Sequence, residues 1–287
     1  MQTRHGVCAV VPAYNAANSI GNVISQLYRA GIRSYVVVAN GCIDSTVFTA
    51  HTKLSALLAR HRVVEFPTAL GPDVPRAVGA FTALREFRDS THLLFVDGDW
   101  QGGFGPMLSD WLEPALRGRC EVQYTGWRNE IAMESRPESL KKPARLDEQI
   151  WTAALQREFP DLQWACPSAV PLLVQRQTFE KVSAFWMYQP GMWFAKTLCA
   201  TRGYPKTVAV NGDWNAVLTG NPSRSAQHMR KMEETLLGDA LEGVRLLQGK
   251  KPSRKWRGIL QDGYHSERRV DVLKAWQASL RVDFGRI

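Results

Sequence analysis

The first hundred residues alternate between two hydrophobic periods. VCAVVPAY (7–14), YVVVANG (35–41), HRVVEFP (61–67) and HLLFVDGD (92–99) are short apolar, β-branched runs that read as buried strands. Between them, SIGNVISQLYRAG (19–31) places Ile20, Val23, Ile24 and Leu27 at helical spacing before Gly31, and STVFTAHTKLSALLAR (45–60) and VPRAVGAFTALREF (74–87) read as a second and third helix. This βαβαβαβ order predicts an α/β fold with a mostly parallel, Rossmann-like central sheet flanked by helices. Beyond residue 104 the alternation loosens. Helices are expected at MLSDWLEPAL (107–116), LDEQIWTAALQREF (146–159) and GMWFAKTLCATRG (191–203), and a strand at AVPLLVQ (169–175). A C-terminal amphipathic helix is expected over 229–248, with Met232, Leu236, Leu237, Ala240 and Leu247 near one face. No repeat or linker interrupts the chain, which we divide into a first half (1–105), a second half (106–220) and a basic C-terminal helical segment (221–287) of one continuous domain.

Composition narrows the function classes. With 287 residues, 45% hydrophobic and 22% charged, the chain is globular and excludes a disordered tail. No run approaches the roughly 18–20 apolar residues of a membrane span, and MQTRHGVCAVVPAYN enters a strand without a cleavable leader, so a cytoplasmic protein without a transmembrane segment is expected. Cys8, Cys42, Cys120, Cys166 and Cys199 are odd in number and scattered, which predicts free thiols. The net charge of +9 is concentrated late: residues 221–287 hold 14 basic against 8 acidic side chains. Such a field favours anionic partners, among them nucleotide phosphates, lipid phosphates, an anionic membrane surface or nucleic acid.

Three unusual stretches fall at the carboxyl ends of predicted strands, where ligands of parallel sheets collect: PAYN (12–15), ANGCIDST (39–46) and DGDW (97–100). Asp97 and Asp99 repel each other unless a cation lies between them. On an extended chain both carboxylates face one side, toward one divalent ion, with Gly98 admitting a ligand close to the backbone. Hard oxygen ligands of this kind suit Mg2+ or Mn2+ with substrate phosphates. An ordinary Asp-Gly turn is the plain alternative, as a helix cap is for Asp44.

VVPAYNAANSI, VVVANGCIDST, LGPDVPRAVGA and LLFVDGD, over roughly residues 7–105, resemble the successive motifs of family 2 glycosyltransferases with the GT-A fold. The resemblance implies a metal-dependent transferase of hexosyl type. It would move a sugar from a nucleotide diphosphate sugar, a UDP-sugar foremost, with Mn2+ or Mg2+ as cofactor. It implies that Pro12, Ala13 and Tyr14 line the nucleoside, that Asn40 and Asp44 contact the base side, and that Arg76 sits near the donor. Asp97, Gly98 and Asp99 would be the DxD motif holding ribose, metal and diphosphate. Some GT-A enzymes add a C-terminal histidine to the metal; His228 in NPSRSAQHMRKM is the candidate, with a plain surface histidine as the alternative. DGYHSERR (262–269) gathers Tyr264, His265, Arg268 and Arg269, which the polarity of a helix start also explains.

The chain also departs from the family pattern. Ala39 replaces the first acid of the second motif, and Tyr188-Gln189-Pro190 stands where a late catalytic acid is expected. Asp161, Glu180 and Asp213 are the carboxylates left as replacements, with Asp161 and Asp213 carried forward as catalytic candidates. Trp100 and Trp193 are compatible with stacking on sugars and with core packing. The acceptor is unidentified. KKPSRKWR (250–257) makes DNA one candidate partner, as in transfer to a modified base. A nucleotide-sugar-binding protein that has lost catalysis is the further alternative.

Overall fold

The computed structural model describes residues 4, 6–118, 120–126, 147, 149–162, 165–201, 206–209 and 225–282. Its strands are β1 (Val7–Ala13), β2 (Ser34–Asn40), β3 (Arg60–Phe66), β4 (His92–Phe95), β5 (Val122–Gly126), β6 (Leu172–Gln175) and β7 (Lys206–Ala209). They form one sheet in the order β3-β2-β1-β4-β6-β5-β7. β1 pairs parallel with both β2 and β4, β2 pairs parallel with β3, and β6 runs antiparallel between β4 and β5. The expected mostly parallel sheet is therefore present.

Helices α1 (Ile20–Arg29) and α2 (Thr46–Ala56) carry the chain outward from β1 through β2 to β3. Helix α3 (Val74–Glu86) then brings it back past β1 to β4. Right-handed crossovers put α3 on the face opposite α1 and α2, and the reversal of direction opens a crevice at the carboxyl ends of β1 and β4. β1 and β2 are sheathed on both faces, which is why they read as continuous apolar runs: Val10, Val11, Val36, Val37 and Val38 are wholly buried. Helix α2 stops at Ala56, short of the expected residue 60, because Leu58 turns left-handed (φ 52°) and Arg60 already pairs in β3.

The second half is built from α4 (Gly105–Arg117), the helical stretch α5 (149–155), the short α6 (Thr178–Lys181), a 3-10 turn at Ala184–Tyr188 and α7 (Pro190–Thr201). β5 was not expected from the sequence. Its buried centre is polar, with Gln123 and Thr125 fully enclosed, so it lacks the apolar run that marks a buried strand. Trp151, Tyr124, Trp193 and Phe194 pack edge-on or tilted into one aromatic cluster. Trp193 is thus core rather than a sugar platform, and so is Trp100, which packs edge-on against Phe104.

Helix α8 (Ala226–Leu247) forms where a long helix is expected, but a different face is buried. Thr235, Gly238, Asp239, Ala240, Leu241 and Gly243 point inward, whereas Met232, Leu236, Leu237 and Leu247 are only half-buried. The physical reason is close backbone approach: the Cβ positions of Gly191 on α7 and Gly243 on α8 fall against each other's helix, leaving no room for side chains. A hairpin of β8 (Lys255–Trp256) and β9 (Ile259–Leu260) and a last helix α9 (Val270–Val282) complete the described chain, α9 lying against α3.

A Cβ at Gly243 would meet the Gly191 carbonyl carbon at 2.9 Å and the Trp151 ring at 2.6 Å. Gly243→Val is therefore expected to destabilise the protein by about 1–3 kcal/mol through overpacking, seen as a lower urea midpoint at an unchanged slope.

Candidate functional site

One cavity of about 830 Å3 opens at the carboxyl ends of the parallel strands. The end of β1 and the loop that follows it (12–19), Asn40 at the end of β2, residues 71–76 at the start of α3, and residues 97–101 after β4 form its floor and sides. Ser168 from the second half and Ser225, His228, Met232, Thr235 and Leu236 from α8 and its cap close it, so all three segments of the chain contribute.

Pro12, Ala13, Tyr14, Asn40, Arg76, Asp97, Gly98, Asp99 and His228 all line this cavity. Asp44 does not. Its Oδ1 accepts from the Thr46 amide (3.0 Å) and hydroxyl (2.5 Å), and its Oδ2 accepts from the Ala17 amide (3.1 Å). These bonds hold the start of α2 against the loop after β1, and they keep the Asp44 carboxyl below its usual range despite partial desolvation. Asp161 and Glu180 are exposed, in the 3-10 turn Pro160–Leu162 and in α6, away from the cavity. Asp213 lies outside the described residues.

The DGD stretch is a turn, not a continuation of the strand: β4 ends at Phe95, and residues 98–99 turn. Gly98 is needed there because the end of β1 presses on it. A Cβ would lie 2.8 Å from the Pro12 carbonyl oxygen and 2.9 Å from the Ala13 Cβ. The Gly98 amide donates to that same oxygen at 2.9 Å, and the Ser19 hydroxyl donates to the Gly98 carbonyl at 2.9 Å. Asn40 is likewise engaged in holding a loop. Its Oδ1 accepts from the Leu70 amide (2.6 Å) and its Nδ2 donates to the Gly71 carbonyl (3.5 Å).

Arg76 is buried on the cavity wall. Its guanidinium donates to the Ser168 carbonyl (3.1 Å) and pairs with Asp97 (3.4 Å) and Asp73 (3.2 Å). Burial opposes its charge, but the two carboxylates more than offset this and raise its pKa. Asp73 holds a left-handed conformation (φ 66°), uncommon outside glycine but more accessible to aspartate than to most residues. Its side chain is held from a second direction: Asp73 also takes an ion pair from Arg268 (2.8 Å), 195 positions further along the sequence.

From Arg268 the alternation of charge continues inward. Arg268 donates twice to Asp239 (2.8 and 2.7 Å), Asp239 accepts from Arg254 (2.5 Å), Arg254 pairs with Glu242 (3.0 Å), and Glu242 accepts from the Gln189 amide. Gln189, where a late acid was expected, thus faces a carboxylate supplied by α8. Burial alone would raise the Asp239 carboxyl, but Arg268 and Arg254 reverse this and lower it. Burial and the same two cations push His265 down to about 4.

His228 sits in the first turn of α8, where Ser225 caps the helix by accepting from the His228 amide (3.2 Å). Its Nδ1 lies 2.7 Å from the Tyr264 hydroxyl. Among the described residues, Asp239, Glu242 and His265 are the three potential metal ligands whose donor atoms all lie within 4.8 Å of one another. That cluster is filled by the guanidiniums of Arg254 and Arg268, so it is an ion-pair core rather than a metal centre. The ligand atoms of Asp97, Asp99 and His228 line one cavity without converging to that distance.

Other residues escaped the sequence reading. Ser168 on the wall donates to Asp147 (2.7 Å), which also accepts from the Cys166 thiol (3.2 Å), and burial pushes the Asp147 carboxyl up to about 6. Asp239 carries no local motif, and Asp73 stands within LGPDVPRAVGA without being marked out there; only tertiary contact reveals their roles. Tyr264 belonged to a cluster that was visible in DGYHSERR, but nothing there indicated His228 as its partner. In KKPSRKWR the central Arg254 points inward and is neutralised, which leaves the exposed cations around it.

No family model and no curated protein matches the sequence. Solved structures do match the fold. Glucosyl-3-phosphoglycerate synthase from Mycobacterium tuberculosis, in complex with Mn2+, uridine-diphosphate-glucose and phosphoglyceric acid, superimposes with a TM-score of 0.58 at 17% identity, over 85% of this chain and 80% of that one. The same enzyme with Mg2+ and uridine-diphosphate gives a TM-score of 0.56 at 16% identity, over 85% and 79%. A structure described as a mycobacterial protein gives 0.58 at 18% identity, over 85% and 75%. The chain therefore has the GT-A type fold expected of it.

Two outcomes follow for the ion-pair core. Asp239→Asn leaves two buried guanidiniums without their shared counter-charge and is expected to cost about 3–5 kcal/mol in chemical denaturation. His265 has a folded pKa of about 4, below its ordinary 6.5, so the unfolded chain binds its proton first. Its contribution to stability is complete above pH 6.5 and is lost as pH falls from 6.5 through about 4. The difference in urea midpoint between wild type and His265→Gln should slope across that window and be flat above it.

Proposed function

We propose that the protein is a metal-dependent glycosyltransferase of hexosyl type that takes a nucleotide diphosphate sugar, a UDP-sugar first among them, as donor. The observation that carries this reading is the convergence of three loop motifs, two carboxylates and one imidazole on a single cavity at the carboxyl ends of a GT-A sheet. The solved structures that share the fold include one holding Mn2+ and uridine-diphosphate-glucose together, which supports both donor class and ion.

In this reading Pro12, Ala13 and Tyr14 form the wall for the nucleoside, and Asn40 fixes the loop beside it. Asp97, Asp99 and His228 would hold Mn2+ or Mg2+; carboxylate oxygens and a neutral imidazole are a donor set that suits Mn2+ in particular. When bound, the ion supplies Lewis-acid neutralisation of the charge that develops on the departing diphosphate. Ligation through His228 Nε2 requires the proton on Nδ1, where it donates to the Tyr264 hydroxyl and fixes the ring. Arg76 orients Asp97 through their ion pair and would add a fixed positive charge to the cavity that receives the diphosphate.

The test is thermal unfolding with UDP-, GDP-, dTDP- and CDP-sugars, with and without Mn2+, in wild type and Asp99→Ala. One donor should raise the midpoint only in the presence of Mn2+, by about 2.7 kcal/mol of stabilisation at a hundredfold excess over Kd. Asp99→Ala should lose that rise while unfolding normally without ligand. A wild type that responds to none of the donors would overturn the reading.

A further inference from the structure

The cations of KKPSRKWR surround a structure that the donor cavity does not use. β8 and β9 are joined by Arg257 and Gly258, both at positive φ (49° and 83°), as a two-residue type I′ hairpin turn requires. Trp256 pairs across with Ile259 next to the turn, and Lys255 with Leu260 behind it. Every residue from 255 to 260 is exposed, including Trp256 (49%), Ile259 (67%) and Leu260 (56%).

A two-stranded ribbon with no sheet behind it is marginal in water, so something must hold it. Arg254 does. Its Nε donates to the Gln261 carbonyl (2.9 Å), its own carbonyl accepts from the Gln261 amide (3.0 Å), and its guanidinium is locked on Asp239 and Glu242. The result is a short hairpin with a rigid base, Arg257 in its turn, and Trp256, Ile259 and Leu260 exposed just behind that turn. Lys250, Lys251, Lys255 and Arg257 are exposed around it, and Asp262 is the one acid between residues 248 and 262.

Three exposed apolar side chains interleaved with long, flexible cations match the boundary layer of a bilayer surface, because Lys and Arg can snorkel back to the phosphates while their neighbours insert. Ile, Leu and Trp side chains enter the boundary between headgroups and acyl chains, and Lys and Arg remain among the lipid phosphates. Nucleic acid would use the cations and could stack on Trp256, but it offers nothing to Ile259 and Leu260. A purely apolar protein partner would leave four cations without a role. We propose that hairpin 255–260 docks this protein peripherally on anionic lipid bilayers. No helix among the described residues is long and apolar enough to cross a membrane, so the contact lies at the surface. The docking segment runs on directly to Tyr264, the partner of His228 at the cavity.

The experiment is co-sedimentation with vesicles of phosphatidylcholine alone or mixed with phosphatidylglycerol, using the full chain. Wild type should partition onto the mixed vesicles and not onto the neutral ones, and added salt should weaken the binding. Ile259→Ser with Leu260→Ser, and separately Lys255→Gln with Arg257→Gln, should each lower the partition coefficient by about tenfold or more. Unchanged melting temperatures would show both variants folded. Wild type left in the supernatant would overturn the proposal, as would serine variants that bind like wild type. It would fail equally if duplex DNA stripped wild type from the vesicles and bound the serine variants undiminished, since that is the behaviour of a nucleic-acid surface. Donor binding plays no part in these readouts, so this proposal and the transferase reading stand or fall separately.

Discussion

Two guanidiniums, those of Arg254 and Arg268, are buried against the single carboxylate of Asp239 in the middle of α8. Burying any of the three alone would be prohibitive, so each fixes the place of the others. The arrangement extends in both directions with alternating sign: outward through Asp73 and Arg76 to Asp97 in the cavity, inward through Glu242 to Gln189. Its worth lies less in net stability than in register, because well-packed apolar side chains could replace such a set at little cost. The ion pairs of Arg268 with Asp73 and Asp239 hold the C-terminal segment against the start of α3.

The cavity inherits its shape from this register. Arg76 reaches Asp97 because Asp73 takes a left-handed backbone at the head of α3, and Asp73 is kept there by Arg268. On the far side, Gly98 is pinned to the Pro12 carbonyl and Ser19 holds the Gly98 carbonyl, so the two chain segments that flank the switch in strand order are tied together. The site is thus held by the backbone of the first half and by the charges of the last quarter.

These two sources explain what could be read from the sequence. The βα alternation was legible because β1, β2 and β4 are apolar runs set between helical periods, and strand ends marked the loops that line the cavity. Strand β5 was hidden by its buried Gln123 and Thr125, and the inward face of α8 by glycines and a charged residue where an apolar stripe was sought. Asp44 illustrates a different limit: the residue type suits both a base contact and a helix start, and only its three hydrogen-bond donors decide. Arg268 stands in DGYHSERR and Asp73 in LGPDVPRAVGA, but an ion pair between partners so remote leaves no periodicity, so their pairing cannot be read from the sequence.

The span of that last pair bears on the order of events during synthesis. Arg268 meets Asp73 across 195 positions. A ribosome adding about 5–20 residues per second therefore exposes the head of α3 for roughly ten seconds or more before its counter-ion exists. Through that interval the sheet β3-β2-β1-β4 can assemble on its own parallel pairings, while the loop at 71–76 lacks the charge that sets it. A nascent chain can thus assemble its scaffold early, whereas its finished cavity waits until residue 268 has emerged.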